Sequence, residues 1–320
     1  WWSERTVGRF TRTEIDIFLQ YWIAVQLQRD VTADVVFRSF RELMSEAKTE
    51  DIRRTFESIV RYSHIYRRFQ NRQGDDRENR FARRLAEMDT YAVYPLVLFF
   101  YDHVDDGEER HEMLDIIESF LVRRMLMRLK AQSYSRAGTD TMHALWRDDS
   151  ITAAALRERL RQYEAAGTRW PTDEELISGL KQNALYGVVG QGRLAMVLLA
   201  VNERMHQERS EIVDVKGNLQ IEHIMPQNWT DHWPLPPGNP AERRQERDAL
   251  VSTIGNLTVI TGKLNQSVSN GPWTVKRDGL NQYSNLVINR ELVQEEDWNE
   301  EKIVERSERI ARYICEIWPR

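Results

Sequence analysis

Up to about Ser210 the chain sets apolar residues three and four positions apart almost without a break, and this spacing restricts its fold more than any other feature. Ile15, Phe18, Leu19 and Trp22 keep it, as do Phe37, Phe40 and Leu43, and Ile52, Phe56, Ile59 and Val60. Each such run gives a helix one apolar stripe, which is stable only when packed against another stripe. Residues 1–210 are therefore expected to form a helical domain, a bundle of roughly nine helices. Breaks are expected at Gln73 to Asp76, Asp105 to Gly107, Ser135 to Gly138, Gly167 to Pro171 and Gly187 to Gly192. Thr172 with Glu175 has the spacing of a capping box that opens another helix.

After Glu211 β-branched residues alternate with polar ones, which suits strands. Gly217-Asn218 offers a tight turn, and a strand is expected to end at Glu222-His223, just before Pro226. A Pro-rich loop runs from Pro226 to Pro240, where a helix should start and continue to about Ser252. A second short strand, Asn256 to Ile260, should feed a helix from about Lys263. Trp298 to Trp318 reads as a closing amphipathic helix through Ile303, Ile310, Ile314 and Ile317. Residues 211–320 are thus expected to be a second domain.

Composition narrows the class. Hydrophobic residues are 41% and charged residues 30%, with ten tryptophans, so the chain can bury a core and is not a disordered one. The longest apolar run, around Tyr94 to Tyr101, is too short to span a bilayer, and no basic-then-apolar leader precedes it. A cytoplasmic location and no membrane partner are expected. Cys315 is the only cysteine, which excludes an internal disulfide framework and a zinc site built on paired thiolates. With a net charge of −5, nucleic-acid binding must rest on local basic faces. Between Lys216 and Arg290 eight Lys and Arg stand against six Asp and Glu, so this segment is the more basic part.

An acid and a histidine side by side at a strand end are an unusual feature of a short apolar segment. Glu222-His223, then Asn256 opening a second strand, then Asn265 nine positions later on a helix, resemble the ββα-metal (His-Me) finger of HNH nucleases. The chemistry fits those residue types. Phosphodiester hydrolysis needs a general base that is unprotonated near neutral pH, which an imidazole can be. It also needs a hard cation to offset charge on the phosphate and the departing oxygen. Magnesium takes oxygen ligands and keeps several waters, so one carboxylate and one amide oxygen suffice, and manganese can stand in. The expected roles are His223 as base, Glu222 and Asn265 as metal ligands, and Asn256 as the residue that fixes the loop and the imidazole.

A narrower resemblance follows from IEHIMPQNW, IGNLTVITGKLNQSVSN, PWTVKR and a late tryptophan. Together they resemble the C-terminal nuclease domain of the GmrSD-type restriction endonucleases, over about Glu211 to Arg290. Relatives in that group act on DNA according to its chemical modification, among them phosphorothioate-dependent antiphage nucleases. The resemblance implies a DNA endonuclease of bacterial defence against phage. It also implies an N-terminal nucleotide-hydrolysing, modification-sensing domain, whose DGQQR-like stretch is not in this chain. Because the chain begins at Trp1 without methionine, it is expected to be the C-terminal part of a longer protein. Two departures stand out. The acid is Glu222 where many HNH proteins have Asp, and Thr261 and Leu264 occupy the segment where many fingers carry zinc-binding cysteines.

Basic residues near the motif suit phosphate contact: Lys263 within it, Lys276 and Arg277 after it, and Arg243, Arg244 and Arg247 before it. Competing readings remain. Asn256 also suits a turn, Asn265 a helix cap, and Lys276-Arg277 a solvated face. His232 is a loop histidine or a substrate contact. Arg67-Arg68, Arg83-Arg84 and Arg123-Arg124 read as solvated helix faces, with a DNA path as the other reading. GVVGQGRL from Gly187 lacks the Lys and Ser/Thr of a phosphate-binding loop, and His111-Glu112 lacks the closing histidine of a zincin. The expectation is a mainly α protein with an embedded ββα-metal motif that nicks DNA. A double-strand break would need a second copy, as in a homo-oligomer, or a second visit. The competing function is a non-cleaving DNA-binding or regulatory module that docks a separate NTPase domain.

Overall fold

Thr13 opens the first long helix because its hydroxyl accepts the Asp16 N–H (3.3 Å), one of the donors a helix start leaves unpaired. In the computed structural model the described residues are 4–7, 10–70, 72, 74–130, 134–165, 167–209, 219–261 and 270–320. They form two compact units, Trp1–Glu118 with Lys130–Trp170, and Ser119–Leu129 with Pro171–Arg320. The 210/211 boundary expected from the sequence differs from this division: the units part at Trp170/Pro171. Ten α-helices occur among the described residues up to 209.

In the first unit, strands β1 (Glu4–Val7) and β2 (Phe10–Thr13) make an antiparallel hairpin where the sequence suggested helix. Helices α1 (Glu14–Leu27), α2 (Val36–Met44), α3 (Thr49–Arg68), α4 (Arg77–Met88), α5 (Tyr94–His103), α7 (Tyr134–Arg147) and α8 (Ala153–Arg161) follow, with α6 (Gly107–Leu126) contributing as far as Glu118. The apolar run that was too short for a membrane is the central element: every residue of α5 from Tyr94 to Tyr101 is buried. Tyr94 stacks on Tyr21 (centroids 5.5 Å apart) and meets the edges of Tyr66 and Phe69. Each such pair adds about 0.5–1.5 kcal/mol beyond its buried area. The Arg83-Arg84 pair is not simply solvated, since Arg84 is paired with buried Glu118, which also meets Arg77 at 3.0 Å.

The second unit is built on α14 (Glu300–Ile317), whose Ile303, Ile310 and Ile314 stripe is buried as its spacing requires. Around it lie α9 (Asp173–Gln182), α10 (Gln191–Arg209), α11 (Pro240–Val251), α12 (Trp273–Tyr283) and α13 (Val287–Leu292). The capping box that opens α9 is formed: Thr172 Oγ1 accepts the Glu175 N–H (3.2 Å) and Glu175 accepts the Thr172 N–H (2.9 Å). Arg123 and Arg124 correct the solvated-face reading outright, because both are fully buried. Arg123 ties the chain end down by donating to Trp318 O (2.6 Å) and Pro171 O (3.1 Å) and pairing with Asp173 (2.6 Å).

Strands β3 (Leu219–His223) and β4 (Leu257–Thr261) pair antiparallel, with Glu222 opposite Thr258 and His223 opposite Leu257. Between them Ile224, Met225, Trp229, Trp233 and Val251 join Trp273, Trp298 and Ile303 in one apolar cluster. Residues Ile254–Asn256 form a 3-10 turn, so the second strand begins one residue later than expected. Gly255 sits against α14 so closely that a Cβ would lie 2.0 Å from Ile303 O and 2.3 Å from Ser307 Oγ. Only glycine permits that approach. The two strands of the expected finger are thus present, while its helix from Lys263, with Asn265, lies outside the described residues.

Candidate active site

The polar pair ends β3 because two kinds of contact stop the strand there. Asn256, fully buried at the end of the 3-10 turn, takes over the backbone just beyond His223. Its carbonyl accepts the Ile224 N–H (2.8 Å), and its Oδ1 accepts from Met225 N–H (2.8 Å) and Trp298 Nε1 (3.0 Å). Its Nδ2 donates to Met225 O and Val251 O, both at 2.8 Å. A buried amide with every group used holds one backbone path. Arg306, buried on α14, adds a second clamp by donating to Gly255 O (2.7 Å) and Leu257 O (2.8 Å), on either side of Asn256. Burial away from water, with Arg309 nearby, pushes its guanidinium down to about 9.

His223 is 8% exposed, and its Nε2 has no hydrogen-bond partner among the described residues. The ring of Tyr186 meets the imidazole edge-on with centroids 4.3 Å apart. Burial pushes the imidazole down to about 4, and the nearby Lys276 ammonium pushes the same way. The ring is therefore neutral at pH 7, with a lone pair available on one nitrogen.

Glu222 is not free beside it. Lys276, on α12 and 2% exposed in its side chain, donates to Glu222 Oε1 (2.5 Å) and to His223 O (2.7 Å). Burial raises the Glu222 carboxyl and lowers the Lys276 amine, and the contact between them opposes both shifts. Behind Glu222, its strand partner Thr258 donates to Asn289, which in turn donates to Val259 O and Ser284 Oγ, both at 2.8 Å.

The sequence-derived residues therefore divide. Glu222, His223 and Asn256 come together at the strand ends, although the side chain against the imidazole is Tyr186 and not Asn256. Lys276 joins them as a buried ion-pair partner, which corrects its reading as a solvent-facing phosphate contact. Arg247 is corrected likewise: it is buried, pairs with Glu300 (2.7 Å), donates to Trp233 O (2.6 Å) and Pro234 O (3.1 Å), and lies over Trp229 (4.7 Å). Arg243 is paired with Glu246 and exposed Arg244 lies over the Trp229 ring, so this helix keeps a basic face. Arg277 is half-buried on α12 and His232 is exposed. Lys263 and Asn265 lie outside the described residues. Sequence reasoning missed Tyr186, Arg306 and Asn289, of which only Tyr186 had a signal, its place just before the Gly187 to Gly192 break.

Glu222 offers a carboxylate oxygen, the ligand type a hard cation takes, and among the described residues the buried His223 Nε2 has no hydrogen-bond partner. Among the described residues no group of three or more His, Cys, Asp or Glu gathers as a metal cage. Magnesium does not require one, since it keeps water ligands. No helix among the described residues is long and apolar enough to cross a membrane. Compared with curated proteins, the sequence gives no match. Residues 170–313 match the family model described as GmrSD restriction endonucleases, C-terminal domain.

Proposed function

We propose, from the premise that residues 170–313 are a C-terminal domain of the GmrSD restriction endonucleases, that the protein is a divalent-metal-dependent DNA endonuclease of the HNH type that nicks one strand at a time. The observation that carries this reading is His223 itself: a neutral imidazole whose Nε2 has no partner among the described residues, at a strand end whose backbone Asn256 locks. In the mechanism, His223 takes a proton from a water that attacks the phosphorus of a phosphodiester. A general base so placed contributes about 10²–10⁴ in rate. Glu222 and Asn265 would hold the divalent ion, magnesium or manganese, which supplies positive charge to the phosphate and the leaving oxygen. Asn256, Arg306 and Tyr186 do no chemistry here; they hold the strand end and the ring.

Among the described residues exposed Arg244, half-buried Arg277 and Arg243 are candidates for the phosphate backbone, with Lys263 outside them, each contributing affinity that falls with salt. One finger holds one base, so a duplex break needs a second copy of the chain or a second encounter. A modification-sensing NTPase domain is the proposed partner, acting on the same DNA substrate. Incubating supercoiled plasmid with the protein and magnesium tests the reading. It requires open-circular product that appears before linear product and ceases with EDTA. DNA retained without cleavage would favour a binding module, and preferential cutting of folded RNA would move the substrate class.

A further inference from the structure

The Lys276 ammonium neutralises the Glu222 carboxylate in this structure, donating at once to Glu222 Oε1 (2.5 Å) and to His223 O (2.7 Å). We propose that Lys276 sets the metal affinity of this site: its ammonium and a divalent ion are competing partners of the Glu222 carboxylate, so that loading is an exchange of one cation for another that frees the lysine. This inference rests on the nuclease reading above and deepens it.

Three features carry it. The side chain of Lys276 is 2% exposed and that of Glu222 is 14% exposed, so water screens little of the repulsion between an ammonium and a second cation on one carboxylate. The pair is also not redundant, since no other cation is paired with Glu222 among the described residues, and magnesium binds proteins through few carboxylates. Finally, the lysine rides on α12, a separate element from β3, beginning at Trp273 after the Pro272 cap. The lysine head sits on a flexible four-carbon stem, so in the exchange it leaves the carboxylate while β3 and β4 keep their pairing.

Manganese binding to the intact chain, read by the electron paramagnetic resonance of free Mn²⁺, tests the exchange without relying on activity. Lys276→Met should bind Mn²⁺ at least about tenfold more tightly than wild type, an electrostatic effect of removing one buried positive charge. Glu222→Gln in that background should abolish the gain. Because Lys276→Met leaves a buried carboxylate unpaired and can misfold, the wild-type protein supplies a second reading. Acetylation of Lys276 by acetic anhydride, followed by mass spectrometry, should rise severalfold when Mn²⁺ is saturating. Folded Lys276→Met that binds Mn²⁺ no more tightly than wild type, or Lys276 acetylation unchanged by Mn²⁺, overturns the exchange alone while plasmid nicking persists. Absence of Mn²⁺ binding in every variant overturns both the exchange and the metal half of the proposed function.

Discussion

Replacing Asn256 with alanine separates a structural amide from a catalytic one by magnitude. The side chain satisfies four buried groups: Met225 N–H, Met225 O, Val251 O and Trp298 Nε1. Truncation strands all four, and a buried polar group without a partner costs about 1–3 kcal/mol. Relaxation recovers part of this, so about 1 kcal/mol for each group gives a loss of about 4 kcal/mol, a large share of the 5–15 kcal/mol typical of a domain. For a unit of this size that corresponds to a fall of about 8–16 °C in Tm. Urea denaturation followed by tryptophan fluorescence measures it, with Trp298 inside the affected network. A loss below about 1 kcal/mol would refute the claim that Asn256 fixes the strand end, and would return it to the turn or chemical roles its sequence position also allows.

Gly255→Ala should destabilise the second unit by about 1–3 kcal/mol or more through overpacking, because the new Cβ meets backbone at Ile303 O; chemical denaturation checks this, and a neutral result contradicts the close approach. Arg247→Ala should cost about 3 kcal/mol by leaving Glu300 and two carbonyls without their donor, while the salt dependence of DNA binding stays unchanged. The pH dependence follows from His223, whose folded value of about 4 lies below its ordinary 6.5. A depressed group contributes stability that is complete above 6.5 and lost as pH falls through 4, so wild type should lose up to about 3 kcal/mol across that window. His223→Gln should flatten that slope, and equal slopes in the two proteins would refute the shift. Tyr186→Ala opens the wall against the imidazole, so its NMR titration should move up toward 6.5.

Local order was legible in this sequence wherever a rule acts over three or four residues. The capping box at Thr172 and Glu175, the start of α11 at Pro240 and the extent of α14 were all readable because their causes are local. Apolar spacing also announced helices α9 and α10, but it says nothing of which neighbours a stripe meets, and both pack into the second unit. Charge misled for the same reason. Arg123, Arg247 and Lys276 look like surface cations until Trp318 O, Glu300 and Glu222 arrive from distant parts of the chain. The hairpin of β1 and β2 lies in a segment read as helical. At the candidate site, the acid-histidine pair and Asn256 were readable from type and spacing. Tyr186 and Arg306 were not, because one approaches from a loop before α10 and the other from the far end of the chain.

The most direct measurement of the central claim is the rate of plasmid nicking by His223→Ala against wild type, both with magnesium and at equal folded fraction by circular dichroism. The account predicts a fall of about 10²–10⁴ with DNA binding retained. Cleavage by the alanine variant within a few-fold of wild type would contradict it.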